Sequence, residues 1–140
     1  MILREAKISD AHAIQDLLIQ LGYPTFDEQE VVNKIKIHQQ PGYKILIADV
    51  DNKTVGFISF HWFDLMHWKG MLGRITSFCV HDLFRSKGVG QALLKETEAF
   101  FVKQGCIKIE VTSNQRRTKT HEFYLKAGYG EDSRRFVKMC

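Results

Sequence analysis

The sequence has few of the residues and segments that mark secreted or membrane-spanning proteins. Its three cysteines, Cys79, Cys106 and Cys140, lie far apart and form no C-x-x-C pair. An odd number of widely spaced cysteines argues against a disulfide framework and predicts reduced thiols. The N-terminal residues lack the apolar core of a signal peptide, and no apolar run has membrane-spanning length. We therefore expect a soluble cytoplasmic protein that does not interact with a membrane.

Proline is also scarce, with two residues in 140, and no repeat, low-complexity tract or Pro/Gly/Ser-rich linker is visible. A chain of this length without a linker is typical of one domain, which we expect to span residues 1–140. The composition, 44% hydrophobic and 26% charged, is ordinary for a globular protein.

Basic residues exceed acidic residues only modestly, by 20 to 16. No dense Lys/Arg stripe with interleaved aromatic residues occurs, so we expect no nucleic-acid partner. His61 and His67 have no Cys or Asp cluster beside them, so we expect no metal. The late basic residues fit either a solvated face or an anion-binding surface. They are Arg116, Arg117, Lys119, Lys126, Arg134, Arg135 and Lys138.

Hydrophobic periodicity predicts the element order βααββ, then βαβα, then β. The predicted strands are ILREA, YKILIADV, TVGFISFHWF, RITSFCV, CIKIEVTS and RRFVKM. The first helix starts at the cap residues Ser9 and Asp10, and the second at a capping box of Thr25 and Glu28. The third helix runs from about Lys87 to Gln104. The turn DNK predicts a hairpin, and the strands flanking the third helix predict a right-handed parallel crossover.

The segment FCVHDLFRSKGVGQALL (78–94) passes from an apolar strand through a basic, glycine-bearing turn into an apolar helix. Free first-turn amides and glycines at such a junction let a pyrophosphate approach the backbone. A Walker loop does not fit, because Ser86, Lys87 and Gly88 run in the opposite order. A dinucleotide fingerprint does not fit either, because Leu93 stands where a small residue is needed. The pattern present is R-x-x-G-x-G.

This segment resembles the acetyl-CoA-binding motif of the GCN5-related N-acetyltransferases (GNAT family), Q/R-x-x-G-x-G/A between the fourth strand and the third helix. A second family motif, a tyrosine late in the fourth helix before a G-[FY] stop, is similar to HEFYLKAGY, with Tyr124, Gly128 and Tyr129. The resemblance covers nearly the whole chain. It implies an α/β GNAT fold: a mixed central sheet of six to seven strands with helices on both faces. The parallel fourth and fifth strands would splay apart to form the acetyl-CoA cleft.

The resemblance also implies roles for individual residues. Acetyl-CoA would be the co-substrate, and the main chain of Phe78, Cys79 and Val80 would pair with its pantetheine arm. Tyr124 would donate a proton or a hydrogen bond to the thiolate leaving group, the alternative being a core tyrosine with a satisfied hydroxyl. The pyrophosphate would bind at the turn formed by Arg85, Ser86, Lys87, Gly88, Val89 and Gly90.

The chain departs from the family pattern before Tyr124. Family members often carry asparagine seven residues earlier, where this chain has Arg117, and Asn114 lies further back as a candidate replacement. The run NQRRTKTHEFY is similar to aminoalkylphosphonate acetyltransferases. In that light Arg116, Arg117 and His121 would face an anionic substrate or the coenzyme phosphates, with a solvated helix start as the alternative.

The general base is not evident from the sequence. Many relatives carry Glu or Asp on the fourth strand, where Thr76 and Ser77 stand, and neither is a base at neutral pH. Substitutes are His61, Asp64, His67 and Glu110, and none stands out. The aromatic segment 61–72 supplies Trp62, Phe63 and Trp68, either to line an acceptor pocket or for packing or a dimer contact.

The sequence thus predicts an acetyl-CoA-dependent N-acetyltransferase that acts by direct transfer on a primary amine of a small molecule. Acetylation of a protein or peptide amine is one alternative. The absence of an acid at Thr76 and Ser77 keeps open a second, a non-catalytic acyl-CoA-binding regulatory protein. Dimers are common among relatives, so a homodimer also remains open.

Overall fold

The computed structural model describes residues 1–112, 118–132 and 135–140. Its element order confirms the prediction as far as the fourth helix. The elements are β1 (Ile2–Glu5), α1 (Ala11–Leu21), α2 (Glu28–Ile37), β2 (Tyr43–Val50), β3 (Lys53–Asp64), β4 (Met71–Val80), α3 (Val89–Gln104), β5 (Cys106–Val111) and α4 (Thr118–Lys126). Short 3-10 helices lie at Ile8–Asp10 and Asp82–Phe84.

The strands form one mixed sheet in the order β1-β2-β3-β4-β5. All neighbours are antiparallel except β4 and β5, which are parallel and are joined through α3. The predicted hairpin joins β2 to β3. Asp51 and Asn52 at its tip have φ of 52° and 65°, the left-handed backbone that two-residue hairpin turns require.

Helices cover both faces of the sheet, as predicted. On one face α1 and α2 pack against Ile45, Ile47 and Phe57. On the other, α3 and α4 pack against the alternate strand residues, among them Ile58, Phe60 and Ile75. Gly73 lets α3 approach β4 closely, because a Cβ at this position would lie 2.7 Å from the ring of Phe101.

The prediction of six to seven strands is wrong for the described residues, whose sheet has five. The predicted last strand, RRFVKM, spans residues 134–139, and its described part, 135–139, has no regular structure. Its large apolar side chains are exposed, with Phe136 at 92% and Met139 at 86%. The apolar residues of this segment show only a tendency to form a strand, and a strand also has to pair with another strand.

Asp10 is not the side-chain cap that the sequence predicted. The carboxylate of Asp10 is buried and accepts hydrogen bonds from Arg4 Nη1 and Nη2, both at 2.9 Å, from the Lys7 amide at 2.7 Å and from Thr54 Oγ1 at 2.8 Å. Burial alone would raise the pKa of Asp10, but these hydrogen bonds outweigh it and lower the pKa. The side chain therefore ties β1 to β3.

The predicted capping box of α2 is displaced by two residues. Asp27 caps the helix by accepting the Glu30 amide at 2.7 Å, and the Glu30 carboxylate accepts the Asp27 amide at 3.4 Å. Thr25 and Glu28 have the same spacing, which is why the sequence alone did not separate the two pairs.

Within the described part of the chain, no helix has the combination of length and apolar character needed to cross a membrane.

Candidate functional site

The parallel strands β4 and β5 separate halfway along β4. They are paired only as far as Ile75, opposite Val111. From Thr76 to Val80, β4 continues beside β3, but no strand of the described residues pairs with it on the β5 side. This part of β4 therefore has one open edge.

A bulge lies where the open edge begins. Ser59 and Phe60, which are consecutive in β3, pair with Ser77 and Ile75, so Thr76 is an additional residue in β4. Bulges of this kind bend a strand and increase its twist. The bend accounts for the divergence of β4 from β5.

The open edge presents main-chain groups of Phe78 and Val80. The amide of His81 donates to Val55 O on β3 at 2.8 Å. Because residues of an antiparallel pair alternate between facing the partner and facing away, Phe78 and Val80 direct their N–H and C=O groups into the gap. Cys79 directs its main chain to β3, and its Sγ donates to Leu17 O at 3.3 Å beneath α1. Two of the three predicted main-chain partners thus face the gap.

The glycine turn lies at the same end of the sheet. Gly88 is the N-cap of α3 and has φ of +81°, and Ser86 has φ of +61°. A Cβ on Gly88 would meet no described atom within 4 Å, so the space beside it is open. Val89 is buried and anchors the first turn of α3. The first amides of the helix, which have no intrahelical acceptors, lie beside this opening.

The turn packs directly on the end of β4. A Cβ on Gly90 would lie 3.6 Å from Val80 Cγ2 and 3.7 Å from Phe78 Cζ, at ordinary contact distance. Arg85 donates its Nε–H to Val80 O at 3.1 Å. Lys87 is exposed, with its Nζ 5.5 Å from the ring centroid of Phe84. Open strand edge, glycine turn and two cations therefore adjoin one another.

Tyr124 is buried on α4 beside the open edge. Its ring centroid lies 6.5 Å from that of Phe78 and 5.6 Å from that of Tyr129. His121, one turn earlier, is half-buried. The other residues predicted near Tyr124, namely Asn114, Arg116 and Arg117, lie outside the described residues.

On the α1–α2 face of the sheet, four polar side chains form a row across four strands. Tyr43, His61, Arg74 and Glu110 are successive cross-strand partners on β2, β3, β4 and β5. Arg74 and Glu110 form an ion pair. They occupy the register position immediately before the last β4–β5 pair, so the row ends where the two strands separate.

His61 is enclosed by aromatic rings in this row. Its ring centroid lies 5.6 Å from that of Tyr43 and 4.9 Å from that of Phe63, and both pairs are stacked. Burial lowers the pKa of His61, and the positive charges of Arg74 and His38 lower it further, against an opposing effect of Glu110. The neutral imidazole is therefore favoured, and this is the form that accepts a proton.

The remaining residues of the aromatic segment have separate surroundings. Trp62 lies on the α3 face, 4.9 Å from the Phe100 ring, which agrees with the packing alternative. Trp68 lies under the Lys108 ammonium at 4.8 Å from the ring centroid. Asp64 and His67 lie beyond the row, at the end of β3 and in the following loop. Within the described ranges, no three His, Cys, Asp or Glu side chains group as metal ligands.

A cavity of about 280 Å³ lies between α1, α2 and the sheet. Three hydroxyl residues, Ser59, Thr76 and Ser77, line it on the sheet side. Lys34 of α2 and His38, the C-cap of α2, line the opposite side. The other lining residues of this cavity, which we call the α1–α2 cavity, are apolar or aromatic. Sequence reasoning missed Lys34 and His38. Their only signal is their position one turn apart beside the buried Val31 and Ile35, which equally fits a solvated helix edge.

The sequence and fold are similar to those of acetyltransferases. A family model described as "Acetyltransferase (GNAT) family" matches residues 11–129. An aminoalkylphosphonate N-acetyltransferase from Salmonella typhimurium is 27% identical over 97% of this chain and 89% of its own length.

Solved structures agree in fold. Glucosamine-6-phosphate N-acetyltransferase from Arabidopsis thaliana has a TM-score of 0.85 at 20% identity, covering 99% of this chain and 97% of its own. An aminoglycoside N-acetyltransferase in complex with CoA has a TM-score of 0.86 at 17% identity, covering 99% and 93%.

Proposed function

Because the chain belongs to the acetyltransferase (GNAT) family and is therefore an acyltransferase, we propose that it transfers an acetyl group from acetyl-CoA directly to a primary amine of a small molecule. One observation carries the proposal: the open edge of β4 and the glycine turn of α3 adjoin each other. A strand edge pairs with an extended amide-bearing arm, and a helix start with glycines accepts a pyrophosphate. Acetyl-CoA contains both groups.

The residues present fit acetyl-CoA. Phe78 and Val80 would bind the pantetheine arm through their main-chain groups. The amides from Gly88 onward would bind the pyrophosphate, with Arg85 and Lys87 adding positive charge. Bound there, acetyl-CoA would supply a thioester in which the new C–N bond forms as the C–S bond breaks. We further propose that one domain, residues 1–140, carries this activity.

Tyr124 is the proposed donor to the departing sulfur. Its side chain is buried against Phe78, whose main chain faces the gap. A phenol is a suitable donor of a hydrogen bond or proton to a developing thiolate. The neighbouring hydroxyl, that of Tyr129, donates to Glu98 Oε2 at 2.9 Å.

We propose His61 as the acceptor of the amine's proton, through water. Of the four candidates from the sequence, His61 and Glu110 lie in the row that ends where β4 and β5 separate. Glu110 is engaged by Arg74, whereas burial and the charges of Arg74 and His38 favour the neutral form of His61, against an opposing effect of Glu110. The rings of Tyr43 and Phe63 stack on its imidazole.

Small-molecule acceptors are supported by the named activities of similar proteins, which act on an aminoalkylphosphonate and on glucosamine-6-phosphate. The volume of the α1–α2 cavity, about 280 Å³, lies just below the range of about 300–1,000 Å³ for sites of drug-sized ligands and therefore favours a small acceptor. None of the three cysteines forms a disulfide in the described structure, which supports a reducing, cytoplasmic compartment as the place of activity.

The proposal is tested by calorimetric titration with acetyl-CoA, with NAD and ATP as controls, followed by thiol-release assays with a panel of amines. We expect selective binding of acetyl-CoA and amine-dependent release of CoA. Binding without turnover on any small amine or peptide would favour a non-catalytic acyl-CoA-binding protein. Absence of acetyl-CoA binding by the folded protein would overturn the proposed function.

A further inference from the structure

We propose that the acceptor occupies the α1–α2 cavity and is a compact primary amine with an apolar body and an anionic group at its far end. The inference rests on the proposed function, because it assigns the second substrate of the same reaction. It goes beyond that function by excluding polycationic amines. The charges, hydroxyl groups and volume of the cavity each support it.

Lys34 gives the cavity a positive charge, and none of the described lining residues is acidic. His38 lines the cavity beside Lys34. Lys34 forms no ion pair with any carboxylate in the described part of the chain. The Nδ1–H of His38 donates to Lys34 O at 2.7 Å, so Nε2 is the nitrogen that a ligand can meet, and it donates to an anion only in the protonated ring. A negative group is attracted to this end of the cavity, whereas a second ammonium is repelled.

The opposite side of the cavity presents hydroxyl groups. Ser59 Oγ and Thr76 Oγ1 lie 2.8 Å apart, and Thr76 Oγ1 also donates to Ser59 O at 3.1 Å. Thr76 and Ser77 belong to the open end of β4, beside which the thioester is proposed to lie. Hydroxyl oxygens can accept from an amine without the charge that would hold it as an ammonium. An amine directed to this side therefore stays available as a nucleophile.

Between these two ends the lining is apolar, with Leu18, Phe26 and Ile35 among its residues. A carbon chain between amine and anion would be buried there, and each methylene removed from water favours binding. The volume, about 280 Å³, is at the low end for small-ligand sites. It suits a molecule of a few carbons better than an aminoglycoside.

Three amines of similar length test the inference: 6-aminohexanoate, hexylamine and 1,6-diaminohexane. They differ at the far end, which is negative, neutral or positive. We would measure kcat/KM for each by thiol release at saturating acetyl-CoA. We expect 6-aminohexanoate to be the best substrate and to exceed 1,6-diaminohexane by about tenfold or more, a ratio that corresponds to one modest charge interaction. The reverse order in an active enzyme would overturn the acceptor class and leave the acetyltransferase function standing.

A matched pair of variants on α2 tests whether the preference for 6-aminohexanoate arises in the α1–α2 cavity. Lys34→Glu should remove the preference for 6-aminohexanoate and favour the diamine. Lys36→Glu makes the same charge change on the same helix at an exposed residue that does not line the cavity, so the wild-type order should persist. Equal effects of both variants would show that net charge, not the cavity, sets the preference.

If acetyl-CoA binds but none of the three amines is acetylated, direct binding of 6-aminohexanoate to the protein tests the inference. Amide chemical-shift mapping with 6-aminohexanoate should then show changes in α2 and at Thr76 and Ser77, and these changes should be weaker in Lys34→Glu. Changes confined to other elements, or none at millimolar amine, would overturn the inference whatever the activity. Failure of the function itself is read separately, from the acetyl-CoA titration.

Discussion

Arg85 donates its Nε–H to the main-chain oxygen of Val80 at 3.1 Å, so the glycine turn is joined to the last residue of the open strand edge. The rest of the guanidinium lies on an exposed side chain and has no further hydrogen bond within the described structure. Arg85 can therefore position the turn and, with its other N–H groups, contact a phosphate.

Arg85→Ala should weaken acetyl-CoA binding about tenfold, because it removes a charge-assisted contact and the link to Val80. Arg85→Lys should recover part of the affinity, since it restores charge but not the planar fork of donors. Calorimetry gives both dissociation constants. Lys103→Ala, an exposed change in the last turn of α3, is the control for net charge. If it weakens binding as much as Arg85→Ala, Arg85 has no specific role.

Replacing Gly88 with leucine should abolish tight acetyl-CoA binding while leaving a folded protein. The side chain would enter the open space beside the first amides of α3. The backbone at φ of +81° would add about 1–2 kcal/mol of strain for any L-residue.

Gly90→Ala is the matched control for Gly88→Leu. Its Cβ finds ordinary contacts near Val80, and alanine favours a helix by about 1 kcal/mol over glycine. Thermal unfolding and calorimetry on both variants check these expectations. An unchanged dissociation constant in folded Gly88→Leu would remove the pyrophosphate from this turn.

The turn and most of the fold could be predicted because their causes are local. The R-x-x-G-x-G pattern occupies six consecutive residues, and the hairpin tip needs only Asp51 and Asn52. The final strand failed for a non-local reason. The segment that contains Phe136 and Met139 has apolar residues typical of a strand, but whether a strand forms depends on pairing with a distant part of the chain, which one segment does not encode.

The acceptor side of the site was not predictable either, because it also depends on pairing between distant parts of the chain. The bulge at Thr76 fixes which side chains of β4 face the α1–α2 cavity, and no local pattern marks it. The row from Tyr43 to Glu110 joins four strands whose register is set by the whole sheet. The sequence could name His61 and Glu110 as candidates but could not show that they share a row.

Tyr124→Phe should lower kcat by about 10²-fold with little change in acetyl-CoA affinity, because the ring still packs on Phe78 and only the donor is lost. Tyr129→Phe removes the neighbouring hydroxyl, which donates to Glu98. We expect Tyr129→Phe to lose about 1–2 kcal/mol of stability and to keep kcat. Steady-state kinetics and urea unfolding separate the two effects. An unchanged kcat in Tyr124→Phe would assign Tyr124 to the core.

His61→Gln should lower kcat about 10²-fold at neutral pH if His61 accepts the amine's proton. Wild-type kcat/KM should fall as pH drops through the lowered pKa of His61, and the variant should lose this limb of the profile. His12→Gln, an exposed histidine on α1 at 71% accessibility, controls for general effects. A profile that keeps the limb in His61→Gln would exclude His61 as the base and favour another group, such as Glu110.

His61 should also make folding sensitive to acid. Its pKa is lowered in the folded protein, whereas in the unfolded chain it is about 6.5. The unfolded state therefore binds the proton more readily. The stability contributed by neutral His61 is complete above about pH 6.5. It is lost as pH falls through the folded-state pKa. Urea unfolding between pH 7.5 and 5 should show a smaller loss in His61→Gln than in wild type or His12→Gln. Parallel curves for all three proteins would mean that burial and the charge of Arg74 do not shift the pKa of His61.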